Sequence, residues 1–77
     1  MPKIDLVATG QNIKYLIEQN NLRIVDVQRA LGFSTAQSIY KWFIGKNLPT
    51  IDNMVILADL LNCKIDDIII LASSPSG

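Results

Sequence analysis

The stretch Gly32-Phe33-Ser34-Thr35-Ala36-Gln37-Ser38-Ile39-Tyr40-Lys41-Trp42-Phe43-Ile44-Gly45 decides how this chain is read. Gly32 can end one helix, because glycine enters the left-handed backbone region without steric cost. Ser34 and Thr35 follow, and either hydroxyl can cap a new helix by accepting from its free backbone N–H groups. Gly45 closes that helix. Inside it, Ile39, Trp42 and Phe43 recur at i, i+3 and i+4 and so share one face. Ala36, Gln37, Tyr40 and Lys41 fall on another face and carry hydrogen-bonding and cationic groups. Upstream, Ile24–Leu31 has the apolar spacing of a short helix. The pattern is a helix, a glycine turn, and a capped helix with a polar outer face.

Working outward, the same logic assigns the remaining elements. Asp5 can cap a first helix whose stripe of Leu6, Val7, Ile13, Leu16 and Ile17 runs to about Asn20. Thr9 is an alternative start, since Gly10 costs a helix interior up to about 1 kcal/mol relative to alanine. Asn20-Asn21 is a stop, as asparagine tolerates left-handed geometry. The second helix, Ile24–Leu31, turns Val27 and Leu31 inward. After the loop Gly45 to Thr50, Thr50 or Asp52 starts a fourth helix with Met54, Leu57, Ala58 and Leu61 inward, and Asn62 ends it. A last helix is expected from about Ile65 to Leu71, with Ile65, Ile68, Ile69 and Ala72 on one face. Residues 1–4 read as loose and Ser73–Gly77 as a frayed tail. The expected fold class is all-α: residues 1–77 form one domain with a core from about 5 to 71, a compact five-helix orthogonal bundle containing a helix-turn-helix.

Composition narrows the chemistry. A domain of 77 residues buries only roughly 60% of its unfolded surface, and an apolar content of 49% offsets that. One cysteine and no histidine exclude a disulfide framework and a Cys/His zinc site, so no metal and no other cofactor is expected. Cys63 reads as a small hydrophobe rather than a nucleophile, because no histidine exists to activate it. Without histidine, a glycine-rich phosphate loop or paired carboxylates on a pocket, no catalytic residues and no small-molecule substrate are expected; the chain does not read as an enzyme. No apolar run approaches the roughly 20 residues a membrane helix needs, and a cytoplasmic location is expected. Seven Lys/Arg balance seven Asp/Glu, so a global basic excess is absent. The distribution is uneven, however. Between Gly10 and Pro49, Lys14, Arg23, Arg29, Lys41 and Lys46 outnumber Glu18 and Asp26, whereas Asp52, Asp59, Asp66 and Asp67 gather at the C-terminal end.

The chain resembles the phage Cro and lambda-repressor-like (Xre-type) helix-turn-helix family from about Gly10 to Leu71. Gly10, Ile13-Lys14, Leu16, Val27, Leu31-Gly32, Ile39, Trp42, Gly45, Leu48-Pro49 and Leu57-Ala58 carry the resemblance. It implies a bacterial or phage-encoded, sequence-specific transcriptional regulator, repressor-like, that lays its third helix in the major groove of double-stranded DNA. Carried over by position, Ala36, Gln37, Tyr40 and Lys41 would face bases. Lys14, Arg23, Thr35, Ser38, Lys46 and Asn47 would meet the sugar-phosphate backbone. The chemistry agrees independently: Gln37 can pair bidentately with adenine, Lys41 can donate to guanine, and Ala36 can touch a thymine methyl.

The sequence also departs from the family pattern. Ile24 stands where a phosphate-binding glutamine often opens the second helix, Arg23 replaces a hydroxyl cap, and Gln28 replaces a small alanine. Phe33-Ser34-Thr35 lengthens the turn by one residue. Ile17 and Phe43 occupy the two positions where many members pair an arginine with a glutamate, an exchange of both charges for an apolar contact. Family members commonly pair on two half-sites, and a homodimer through Ile68, Ile70 and Leu71 of the last helix is expected here. The other reading, favoured by zero net charge and the missing glutamine, is a protein-interaction module on the same scaffold: an antirepressor or toxin-associated partner.

Overall fold

The computed structural model describes residues 3–72; the expected tail Ser73–Gly77 lies outside them. Five helices follow one another: α1 Leu6–Gln19, α2 Ile24–Leu31, α3 Gln37–Phe43, α4 Ile51–Leu60 and α5 Ile65–Ile68. Asp5 caps α1, its carboxylate accepting from the Ala8 N–H at 2.9 Å, so the earlier of the two possible starts is the real one. Asn21 and Asn62 both adopt a left-handed φ of 55° after α1 and α4, as their residue type allows. The Asn20 side-chain amide donates to the Leu16 and Leu61 carbonyls and thereby ties the ends of α1 and α4 together. Thr50 caps α4, accepting from the Asn53 N–H.

One core runs through all five helices: Ile13, Ile17, Val27, Leu31, Ile39, Trp42, Phe43, Met54, Leu57, Leu61 and Ile68. α3 packs chiefly on α1, and α2 chiefly on α4. Leu6 and Val7, expected on the inner stripe of α1, are exposed instead; Thr9 and Gly10 take the buried positions of that turn. Ile17 and Phe43 are both buried, at 2% and 7% exposure, as an apolar exchange requires.

The C-terminal segment departs most from expectation. α5 is four residues long, not seven, and Ile69 is already extended at φ −79°, ψ 126°. Beyond it the chain pairs with residues 3–5 as a short antiparallel ribbon. The Asp5 N–H donates to the Ile70 carbonyl at 2.8 Å and the Ala72 N–H to the Lys3 carbonyl at 2.7 Å, framing the pair Ile4 and Leu71. Thr9 locks the ribbon to α1: its hydroxyl accepts from the Ile70 N–H at 2.9 Å and faces the Ile70 carbonyl at 3.3 Å. Asn12 donates to the Asp67 and Ile68 carbonyls, which satisfies the end of α5. Residues 3 and 4 are therefore held, not loose. Ile68, expected at a dimer interface, is fully buried within the chain, because it is the α5 residue set deepest in the core, with Ile65 packed beside it.

Candidate nucleic-acid interface

The position of α3 is set by two close approaches to α1. At Gly10 the helices cross so tightly that an added Cβ would overlap the Trp42 carbonyl oxygen and lie 2.7 Å from its carbon. Gly10 thus exchanges some helix propensity for contact between backbones. Gly45, at φ 73°, sits against Val7, whose backbone nitrogen would lie 2.9 Å from an added Cβ. The Gln11 side-chain amide then donates to the Phe43 carbonyl at 2.8 Å, pinning the C-terminal end of α3 to α1. The Gly45 N–H donates to the Trp42 carbonyl and the Lys46 N–H to the Lys41 carbonyl, the paired bonds of a left-handed helix end. This fixes where the loop carrying Lys46 and Asn47 leaves α3.

Toward α2 the connection is a turn of five residues. Gly32 is left-handed at φ 72°, and Gln28 donates its side-chain amide to the Phe33 carbonyl at 3.2 Å. The long side chain at position 28 therefore braces the turn. Phe33 meets Trp42 edge-on, ring centres 5.9 Å apart. The expected hydroxyl cap is modest: Ala36 occupies the N-cap position of α3, while Thr35 Oγ1 accepts from the Gln37 N–H at 3.4 Å.

With Ile39, Trp42 and Phe43 buried, Gln37, Ser38, Tyr40 and Lys41 are exposed on the outer side of α3, and Ala36 is half-buried at its start. Tyr40 keeps its ring on Phe43, centres 5.9 Å apart, and is 54% exposed. Lys14, Arg23, Thr35, Lys46 and Asn47 are exposed too. Two grooves gather part of this set. Ser38 and Asn47 line a cleft of about 230 Å³ beside Trp42 and Pro49, together with Thr50, expected only as a helix start, and Asn53, which the sequence pattern did not single out. Lys14, Arg23 and Tyr40 border a groove of about 510 Å³ that Gln11, Glu18, Ile17, Phe43 and Ile44 also line. Thr35, Ala36, Gln37, Lys41 and Lys46 line neither.

Electrostatics single out Arg23. Its guanidinium pairs with Asp26, Nη2 to Oδ1 at 3.2 Å and Nε to Oδ2 at 3.3 Å. The same carboxylate accepts from the Arg23 backbone N–H at 2.8 Å, closing the first turn of α2. These bonds hold the Asp26 carboxyl below the usual carboxylate range and push the Arg23 guanidinium up. Arg23 therefore meets any phosphate with an acid already attached, which the three-residue spacing to Asp26 could have signalled. Elsewhere, burial and then Asp67 push the Cys63 thiol up, which suits a half-buried apolar role. Among the described residues no group of His, Cys, Asp or Glu converges to hold a metal ion, and no helix is long and apolar enough to cross a membrane.

No curated protein matches the chain. The helix-turn-helix family matches residues 13–68, a span that begins within α1 and ends with α5. With α2, the Gly32 turn and the outward-facing α3 all inside that span, the chain belongs to the Xre-type, lambda-repressor-like helix-turn-helix family of DNA-binding domains.

Proposed function

We propose that this domain is a sequence-specific transcriptional regulator of the repressor type, reading the major groove of double-stranded DNA with α3 and acting as a homodimer. The observation that carries the reading is the division of α3 into a buried face and an outer face whose exposed side chains are hydrogen-bonding or cationic. In this reading Gln37 and Lys41 contact base edges, with Ala36 and Tyr40 beside them. Thr35, Ser38, Lys46 and Asn47 hold the phosphates on one flank, and Lys14 and Arg23 on the other; these contacts set register and affinity without reading sequence. Zero net charge means that little non-specific attraction supplements them, so pairing two modules helps, while the fall of affinity with salt follows the number of phosphates these side chains neutralise.

The test is selection of bound duplexes from a random DNA pool, followed by substitution. Gln37→Ala is expected to relax preference at one or two positions, at a cost of about 1–3 kcal/mol for the preferred base. Lys46→Ala is expected to weaken all sequences alike and lower the salt slope by about one. A pool that yields no enriched sequence at low salt defeats the reading. The Arg23–Asp26 pair and Glu18 beside Lys14 favour the second reading, a protein-interaction module on the same scaffold, and that module would come through such a selection without enrichment.

A further inference from the structure

α1, the start of α2 and one flank of α3 enclose the groove of about 510 Å³, within the roughly 300–1,000 Å³ of small-molecule sites. Its lining is largely apolar. Ile17 and Phe43 are its buried part, Leu22 and Ile24 are half-buried, and Ile44 is 69% exposed at the end of α3. Part of the polar rim is already engaged. The Gln11 side-chain amide donates to the Phe43 carbonyl, and Arg23 is paired with Asp26. Two charged side chains of the lining remain, Lys14 and Glu18. Both are exposed, and neither forms an ion pair among the described residues. They stand at i and i+4 of α1, with Cβ atoms about 5–6 Å apart and in the weaker of the two orders for pairing with each other.

We propose that this groove is a binding site for a free apolar α-amino acid. The free charges of the lining select that class. A simple acid would satisfy Lys14 and leave Glu18 facing a like charge; a simple amine would satisfy Glu18 and do the same to Lys14. A zwitterion carries an ammonium and a carboxylate on one carbon, so two opposite charges one helical turn apart can hold both groups at once. Its side chain then covers apolar surface of Leu22, Ile24 and Ile44 that water otherwise touches. The site itself does not depend on DNA binding. Its consequence for DNA rests on the regulator reading above: Lys14 is a phosphate contact there, so an amino acid that engages its ammonium removes one such contact.

Titration of the full chain with L-phenylalanine, followed by amide-resolved NMR without DNA, tests the site. Saturable shifts are expected at Ile17, Leu22, Ile24 and Ile44, with a dissociation constant of about 1 mM. Phenylpropionate lacks the ammonium, phenethylamine lacks the carboxylate, and glycine lacks the apolar body; each is expected to bind about fivefold more weakly. Glu18→Gln is expected to remove the preference for phenylalanine over phenylpropionate, and Lys14→Gln the preference over phenethylamine. Circular dichroism confirms that both variants, at exposed positions, are folded. No saturable shift up to the solubility limit overturns the proposal. So do shifts confined to the apolar groove at Ile4, Ile51 and Ile69, or equal binding of the three phenyl compounds. Anisotropy of a labelled duplex is read separately, and saturating phenylalanine is expected to weaken its binding about fivefold. An unchanged duplex affinity in the loaded protein overturns the link to DNA alone. A protein that binds phenylalanine but no duplex at low salt defeats the regulator reading alone.

Discussion

α3 has two neighbours along its length, and they hold it by different means. Against α1 the contact is close and built into the backbone: Gly10 admits the Trp42 carbonyl, Gly45 admits Val7, and Gln11 binds the Phe43 carbonyl. Against α2, the helix that precedes it in the motif, the link is a turn in which Gly32 has open space where a Cβ would go. The motif is named for α2 and α3, yet the placement of α3 is decided by α1. The turn delivers α3 to a seat that α1 has already shaped.

The strongest challenge to the α1 side is a charge in the seat. Phe43→Glu is expected to cost about 3–5 kcal/mol, because it buries a carboxylate without a partner. Adding Ile17→Arg is expected to recover part of that loss, measured by urea unfolding of the two single variants and the double. A double variant no better than Phe43→Glu would separate positions 17 and 43. Next comes Gly10→Ala, expected to destabilise by about 3 kcal/mol, at the upper end of overpacking, since a backbone carbonyl rather than a mobile side chain must give way. Elsewhere in a helix the same change would stabilise, so the sign alone tests the close crossing.

A matched pair of glycine substitutions sharpens the contrast between the two sides. Gly32→Ala and Gly45→Ala impose the same conformational strain, about 1–2 kcal/mol, as both residues have φ near 72°. Gly45→Ala adds contact with the Val7 backbone, so it is expected to cost clearly more in thermal unfolding; equal costs would remove the distinction. The smallest effect belongs to the start of α2. Asp26 has a folded pKa below its ordinary value of 3.8 because Arg23 bonds it. Its contribution is therefore present above that ordinary value and lost as pH falls through the lower folded pKa. Asp26→Asn is expected to flatten slightly the loss of stability below pH 4, followed by the urea midpoint from pH 6 to pH 2.5.

Much of this was legible in the residues. The 3.6-residue spacing of Ile39, Trp42 and Phe43 tells which side of α3 faces out, and asparagine and glycine mark four helix ends where the chain turns left-handed. By helix propensity alone Gly10 reads only as a cost, since its benefit comes from a helix distant in sequence. The last helix is shorter than its apolar spacing predicts for a related reason. A short run such as Ile68-Ile69-Ile70-Leu71 suits helix and strand alike, and what decides it is the Thr9 hydroxyl together with the backbone of Lys3 and Asp5, which no local pattern reveals. At the surface, exposure on α3 follows from periodicity and the engagement of Arg23 with Asp26 from their three-residue spacing, whereas the gathering of Thr50 and Asn53 beside Ser38 and Asn47 depends on tertiary placement.

The terminal ribbon also determines how the domain yields to mechanical force. Lys3 and Ala72 pair at the same end of the ribbon, so a pull applied across these two residues opens it as a zipper. The load falls first on the Ala72–Lys3 bond and then on Asp5–Ile70, one at a time, instead of shearing both together. Tension from a neighbour fused at either end would detach the ribbon and strain the Thr9 anchor before it reached the α1–α3 crossing. α3 would keep its seat on α1 while the ribbon came apart, so traction on these two residues opens the ribbon without unfolding the helices.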